Sequence, residues 1–256
     1  MEQQGLLRAG QAAWRLSLEE LRRRFPAMSA DETPGEMPVE MIDAAVENAV
    51  RSNRMAPKHA AKIRGDHDLN PEFGLPTTLR EAAVLVPLVD RPEELTVIFT
   101  QRTATLSAHA GQISFPGGRM EPEDDGPEDT ALRETAEEIG LERGRIEIVG
   151  RLDTYVTRTG FRVTPVVGVV SPPFILTPDP TEVAEVFEVP LSFILDPSNP
   201  QRHSREFLGK PRWFYAFPYP QRYIWGATAG MLVNLRDVLG AAAREAGEGG
   251  ASSGPL

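Results

Sequence analysis

The chain has 256 residues, 41% of them hydrophobic, which suffices for a real core in one domain with extensions or in two small domains. Its formal net charge of −10 argues against nucleic acid as a partner, and the absence of cysteine excludes disulfides, thiolate metal sites and cysteine nucleophiles. No apolar run approaches the ~20 residues of a membrane span and the N-terminus lacks a signal-peptide core, so a soluble cytoplasmic protein with no membrane partner is expected.

Residues 1–75 read as an N-terminal helical extension. Leu16, Leu18, Leu21 and Phe25 give a rough helical stripe, 28–38 is loop-like, and 41–56 is helical in pattern. Five Lys/Arg and no acid fall between Arg51 and Arg64, which fits a solvated helix face or a patch that attracts phosphate. A domain over 76–240 follows. Strands are expected at 82–90 and 95–102, joined as a hairpin through Pro92, and a short one at 112–115. A helix is expected over 127–139, then strands at 146–153, 161–170, 183–189 and 212–217, and a last helix over 227–244. Trp213, Phe214 and Tyr215 read as sheet core, and Gly226 and Gly230 as close helix packing. The Gly/Ser-rich end, 241–256, is a disordered tail by composition. Strands with few interleaved helices give an α+β class, a mixed β-sheet with flanking helices.

The helix at 127–139 has clear ends. Pro127 suits the first turn, Glu128 and Asp129 suit the positive end of the dipole, and Gly140 can supply a left-handed cap. At about 100° per residue, Leu132, Ala136 and Ile139 form one stripe, expected to be buried. Glu134, Glu137 and Glu138 crowd the opposite side, with Arg133 at its edge. Like charges at this spacing repel by a few tenths of a kcal/mol per pair. The face is either solvated or a site for a divalent cation such as Mg²⁺ or Mn²⁺, for which carboxylate oxygens are suited. Gly117 and Gly118 precede it, and no Gly-Lys-Ser/Thr follows, so this is not a Walker loop.

Gly117-Gly118 followed by Arg133-Glu134-Thr135-Ala136-Glu137-Glu138-Ile139-Gly140-Leu141 closely resembles the Nudix box, Gly-x5-Glu-x7-Arg-Glu-hydrophobic-x-Glu-Glu-x-Gly-hydrophobic. Asp124 stands where the pattern has its first Glu, the gap to Arg133 is one residue longer, and Thr135 replaces an apolar residue. Upstream, Arg102-Thr103 and Gly111-Gln112-Ile113-Ser114-Phe115-Pro116-Gly117-Gly118 look like the signature of the coenzyme A pyrophosphatase branch, although Ser107 occupies the place of its second arginine. The resemblance covers roughly residues 80–240 and implies a Nudix-type α/β/α sandwich.

The resemblance also assigns roles. Glu134, Glu137 and Glu138 would hold Mg²⁺ or Mn²⁺, and Arg133 would orient the glutamates. Gly117, Gly118 and Arg102 would border the diphosphate of a small nucleoside diphosphate substrate resembling coenzyme A. Glu138 or Glu182 would be the general base, and His109 reads as structural or surface-exposed. The implied reaction is hydrolysis of the diphosphate of coenzyme A and acyl-CoA to 3′,5′-ADP and 4′-phosphopantetheine. The alternatives are another nucleoside diphosphate derivative such as ADP-ribose, or a non-catalytic nucleotide sensor, which the retention of all three glutamates disfavours. A homodimer is compatible with the sequence.

Overall fold

The computed structural model describes residues 63–104 and 110–248, with side chains described as far as Leu239. Ser107, His109, the helical patterns before residue 62 and the end of the tail lie outside the described residues. Within them, no helix is long and apolar enough to cross a membrane.

The centre is strand β2 (Arg80–Asp90), whose run of small and branched apolar residues suits burial on both faces. β1 (Arg64–Gly65) precedes it, and β3 (Leu95–Arg102) returns antiparallel to it. Two short strands follow, β4 (Ile113–Ser114) and β5 (Gly117–Arg119). Helix α1 (Pro127–Ile139) comes next, then β6 (Ile146–Arg151), β7 (Tyr155–Val156) and β8 (Phe161–Val170). β8 runs parallel to β2 from Arg80↔Phe161 to Val89↔Val170. β9 (Val183–Pro190) pairs antiparallel with β3 and leads into the short helix α2 (Leu191–Leu195). A second, separate antiparallel sheet contains β10 (Gln201–Phe207), β11 (Lys210–Tyr219) and β12 (Arg222–Trp225). Helix α3 (Ala227–Glu248) closes the described fold and continues beyond the expected end at 244.

Alternation in β2 shows why the sheet is sandwiched. Ala83, Leu85 and Val89 pack with Ala131, Ile139 and Val170 beneath α1. Val86 and Leu88 pack on the other face with Phe99, Ile194, Leu232 and Leu235 beneath α2 and α3. Each Val, Leu, Ile or Phe among these contributes about 1.5–3 kcal/mol when fully removed from water. The class is therefore α+β, a mixed sheet with helices on both faces. Pro87 cannot donate a hydrogen bond, and it lies between the part of β2 paired to β5 and the part paired to β3.

Three local findings differ from the pattern read off the sequence. The buried residues of α1 are Thr130, Ala131, Thr135, Glu138 and Ile139, not Leu132 and Ala136. Thr135 is tolerated there because its hydroxyl donates to the Ala131 carbonyl at 2.6 Å. Trp213 is exposed and Phe214 and Tyr215 are half-buried, because the second sheet turns one face to solvent. Residues 64–70 pack on the domain: β1 pairs with β7, Asp66 accepts from the Tyr155 hydroxyl at 2.9 Å, and Asn70 brackets the Trp213 backbone. Gly230 does serve close packing, since a Cβ there would lie 2.5 Å from the Tyr155 ring.

Gly117 has φ +149°, and a Cβ there would lie 2.4 Å from the Ala83 carbonyl oxygen and 2.5 Å from Val84 Cα. Both obstacles are backbone of the central strand. Gly117→Ala is therefore expected to cost about 3 kcal/mol and to lower the thermal unfolding midpoint by roughly 10 °C. Calorimetry of the variant checks this.

Candidate active site

The site lies where α1 meets the β4–β5 segment. Phe115 is buried and stacks on Phe99 at 5.1 Å, and the Pro116 carbonyl accepts from Leu85 N–H at 2.9 Å. Together these anchor the chain entering Gly117. The Gly117 N–H then donates to Glu138 Oε2 at 3.2 Å. A Cβ on Gly118 would lie 2.4 Å from the Glu134 carboxylate. The two glycines thus admit the glutamates of α1 against the strand, beyond merely freeing the backbone to approach a ligand.

Glu138 is only 6% exposed. Burial pushes its carboxyl up to about 7, with the Gly117 N–H and the Arg102 charge opposing the rise and Glu134 and Glu182 adding to it. Arg102 Nη1 stands 3.6 Å from Glu138 Oε1, and its Nη2 stands 3.7 Å from Glu182 Oε2. Arg102 therefore bridges both candidate bases. Burial also raises Glu134, with Arg133 opposing and Glu137 and Glu182 adding.

Arg133 is held as a fork. Its Nε and Nη2 donate to the two oxygens of Asp124 at 2.8 and 3.0 Å, and Nη1 donates to Glu134 and Glu137 at 3.1 Å each. Nη2 also donates to the Arg119 carbonyl at 3.1 Å. Asp124 further accepts from the Thr130 hydroxyl and from Glu121 N–H, both at 2.8 Å. These hydrogen bonds, Arg133's first, hold Asp124 well below the usual carboxylate range. The residue that departs from the pattern is thus the anchor of Arg133.

Helix termination ties in the last carboxylate. Gly140 takes the left-handed conformation, and Thr177 and Asp179 N–H groups donate to the carbonyls of Ile139 and Glu138. The chain then reaches Glu182, whose carbonyl accepts from Thr103 N–H at 2.9 Å. β9 opposes the Gln101–Arg102 step with an extra, unpaired residue, Ala184.

Arg102, Arg133, Gly117, Gly118, Glu134, Glu138 and Glu182 are brought together. Glu137 is 60% exposed and turned toward Arg133, and among the described residues no three acidic or imidazole groups are already gathered as a metal cage. The donor chemistry nonetheless fits a hard divalent cation. Every donor is a carboxylate oxygen, and two of the carboxylates are raised by burial, Glu134 beside Arg133 and Glu138 beside Arg102. Sequence reasoning passed over Arg205 and Trp225 and read Phe214 as sheet core; the three share a cleft of about 480 Å³ with Arg102 and Gly117. The alternation in β10, QRHSREF, was the available signal. Two further arginines are already engaged: Arg162 pairs with Glu81 and Arg158 lies over the Phe207 ring.

A sandwiched mixed sheet thus carries a helix whose glutamates Glu134 and Glu138 meet a glycine pair. The NUDIX domain model matches residues 79–214, and the chain belongs to that family. It is 40% identical over 156 residues to the protein named Uncharacterized Nudix hydrolase NudL of Photorhabdus laumondii, covering 61% of this chain and 83% of that one. It is 36% identical over 166 residues to Nudix hydrolase 15, mitochondrial, of Arabidopsis thaliana, covering 62% and 58%. The solved Nudix hydrolase RenU of M. smegmatis superposes with a TM-score of 0.42 at 20% identity, over 63% of this chain and 86% of that one. The protein is a Nudix hydrolase, a pyrophosphohydrolase of a diphosphate substrate.

Asp124→Asn removes the carboxylate that grips Nε and Nη2 of Arg133 and leaves it only Glu134 and Glu137, at an expected cost of about 2 kcal/mol at pH 7. The folded-state value of Asp124 is depressed, so its contribution is present above the unfolded value near 4 and is lost as pH falls toward the folded value. The gap between wild type and variant should therefore narrow below about pH 4, as read by urea unfolding at a series of pH values.

Proposed function

We propose that the protein hydrolyses the diphosphate bond of coenzyme A and short acyl-CoA thioesters, releasing 3′,5′-ADP and the 4′-phosphopantetheine product. The observation that carries this reading is that Arg102, Ser114, Phe115 and Gly117, all from the stretch resembling the coenzyme A signature, line one cleft. Gly117 and Arg102 also contact Glu138 directly.

Glu134, Glu137 and Glu138 would hold the divalent cation, Mg²⁺ or Mn²⁺. When bound, such an ion neutralises charge on the diphosphate oxygens and acidifies water. Arg133, fixed by Asp124, sets the rotamers of Glu134 and Glu137. Arg102 offers positive charge at the cleft wall, beside both Glu138 and Glu182. Water attacks one phosphorus, the bridging P–O bond breaks, and the proton passes to a carboxylate. Glu182 suits the proton acceptor: it is half-exposed and lies across Arg102 from Glu138, on the loop entering β9. Glu138, buried and fixed by Gly117, suits the ligand role.

A second reading, a Nudix pyrophosphatase of another nucleoside diphosphate derivative such as ADP-ribose, is favoured by Ser107 in place of the signature's second arginine. A substrate panel of coenzyme A, acetyl-CoA, ADP-ribose and NADH with Mg²⁺ or Mn²⁺ decides between them. Cleavage of coenzyme A is the expected result, and cleavage of ADP-ribose alone would replace this reading with the second.

Two variants separate the glutamates. Glu138→Gln is expected to lower turnover by about 10³-fold with the fold retained, because a ligand charge is lost. Glu182→Gln is expected to lower kcat by about 10²-fold with KM little changed. Normal rates in Glu182→Gln would return the base role to Glu138.

A further inference from the structure

The cleft that holds Arg102 and Gly117 continues to one face of the second sheet. On that face β10 contributes His203, Arg205 and Phe207, which register with Phe214, Arg212 and Lys210 of β11. β12 adds Trp225, whose ring meets Phe214 edge-on at 5.3 Å. The Arg205 guanidinium lies 5.0 Å from the Trp225 ring centre and 5.8 Å from that of Phe214.

Two arginines thus stand directly opposite each other across β10 and β11, an arrangement that is unfavourable unless the charge is met. Arg212 is met by Asp66 at 3.1 Å. Arg205 is exposed and has the two rings but no carboxylate partner among the described residues. Of the other charged groups lining the cleft, Asp66 is shared by Arg212 and Tyr155, and Arg102 faces Glu138 and Glu182. Glu206 follows Arg205 on the strand and belongs to its opposite side chain row.

We propose that this face is a nucleotide subsite. Trp225 and Phe214 take a purine ring by stacking, and Arg205 takes a phosphate on the sugar that is separate from the diphosphate being cleaved. Arg205 is a specificity residue: its planar fork suits bidentate contact with a phosphate, and its position over the rings places the anion beside the base. The other end of a coenzyme A-like substrate has neither a ring nor a charge for this face to hold. This inference deepens the diphosphatase reading above and rests on it for the orientation of the substrate.

The test uses the full chain and two probes, 3′,5′-ADP and 5′-AMP, titrated by calorimetry without metal, so that binding is read independently of turnover. The wild type is expected to bind 3′,5′-ADP about tenfold tighter than 5′-AMP. Arg205→Gln is expected to abolish that ratio, and Arg202→Gln, which lies over Trp213 in the opposite row, to preserve it. Equal affinities in the wild type, or a ratio that survives Arg205→Gln, would overturn the subsite. Coenzyme A hydrolysis is assayed separately with Mg²⁺. If coenzyme A is cleaved but the two probes bind alike, the subsite falls and the diphosphatase reading stands. If the ratio holds and coenzyme A stays intact, the subsite stands and the substrate reading falls.

Discussion

The space between β2 and α1 admits hydrogen atoms and no methyl group. Gly117 abuts the backbone of Ala83 and Val84, and Gly118 abuts the Glu134 carboxylate. That closeness lets a backbone N–H reach Glu138 and brings two glutamates of one helix against a buried strand. Everything chemical in the site follows from this fit. A wider gap would let water solvate the carboxylates and relieve the repulsion that makes them attractive to a cation.

The acidic helix is tolerable because its charges are treated unequally. Glu138 is buried and met by one N–H and by Arg102 at 3.6 Å, Glu134 shares Arg133, and Glu137 stays mostly in water. Arg133 serves two of the three only because Asp124 holds its other edge. The arrangement joins a rigid, charge-neutral fork to a neighbouring concentration of negative charge. The fork stabilises the fold, and the excess charge is what a bound cation would offset.

Much of this was legible in the sequence. The ends of α1 and the strands β3 and β8 follow from Pro127, Gly140 and the apolar runs, because capping and burial act locally. The crowding of Glu134, Glu137 and Glu138 on one helix followed from their spacing. The buried stripe of α1 was misplaced because hydrophobicity alone selected Leu132 and Ala136. Packing instead covers Thr130, Thr135 and Glu138: Thr135 bonds the carbonyl one turn back, Thr130 bonds Asp124, and Glu138 takes the N–H of the distant Gly117. Asp124 was ambiguous in sequence because its partner is nine residues away across a turn. The second sheet was read only at 212–217, since β10 is polar and its pairing is set by β11.

Ala184 shows how much can hang on a residue without chemistry of its own. It has no partner on β3, so the count of residues along β9 runs one ahead of the count along its neighbour. Because strand side chains alternate in facing, that single surplus changes the parity of everything upstream, including the turn that carries Glu182. A chain shortened there by one residue would keep every glutamate in its sequence and still present the distal one to the wrong side.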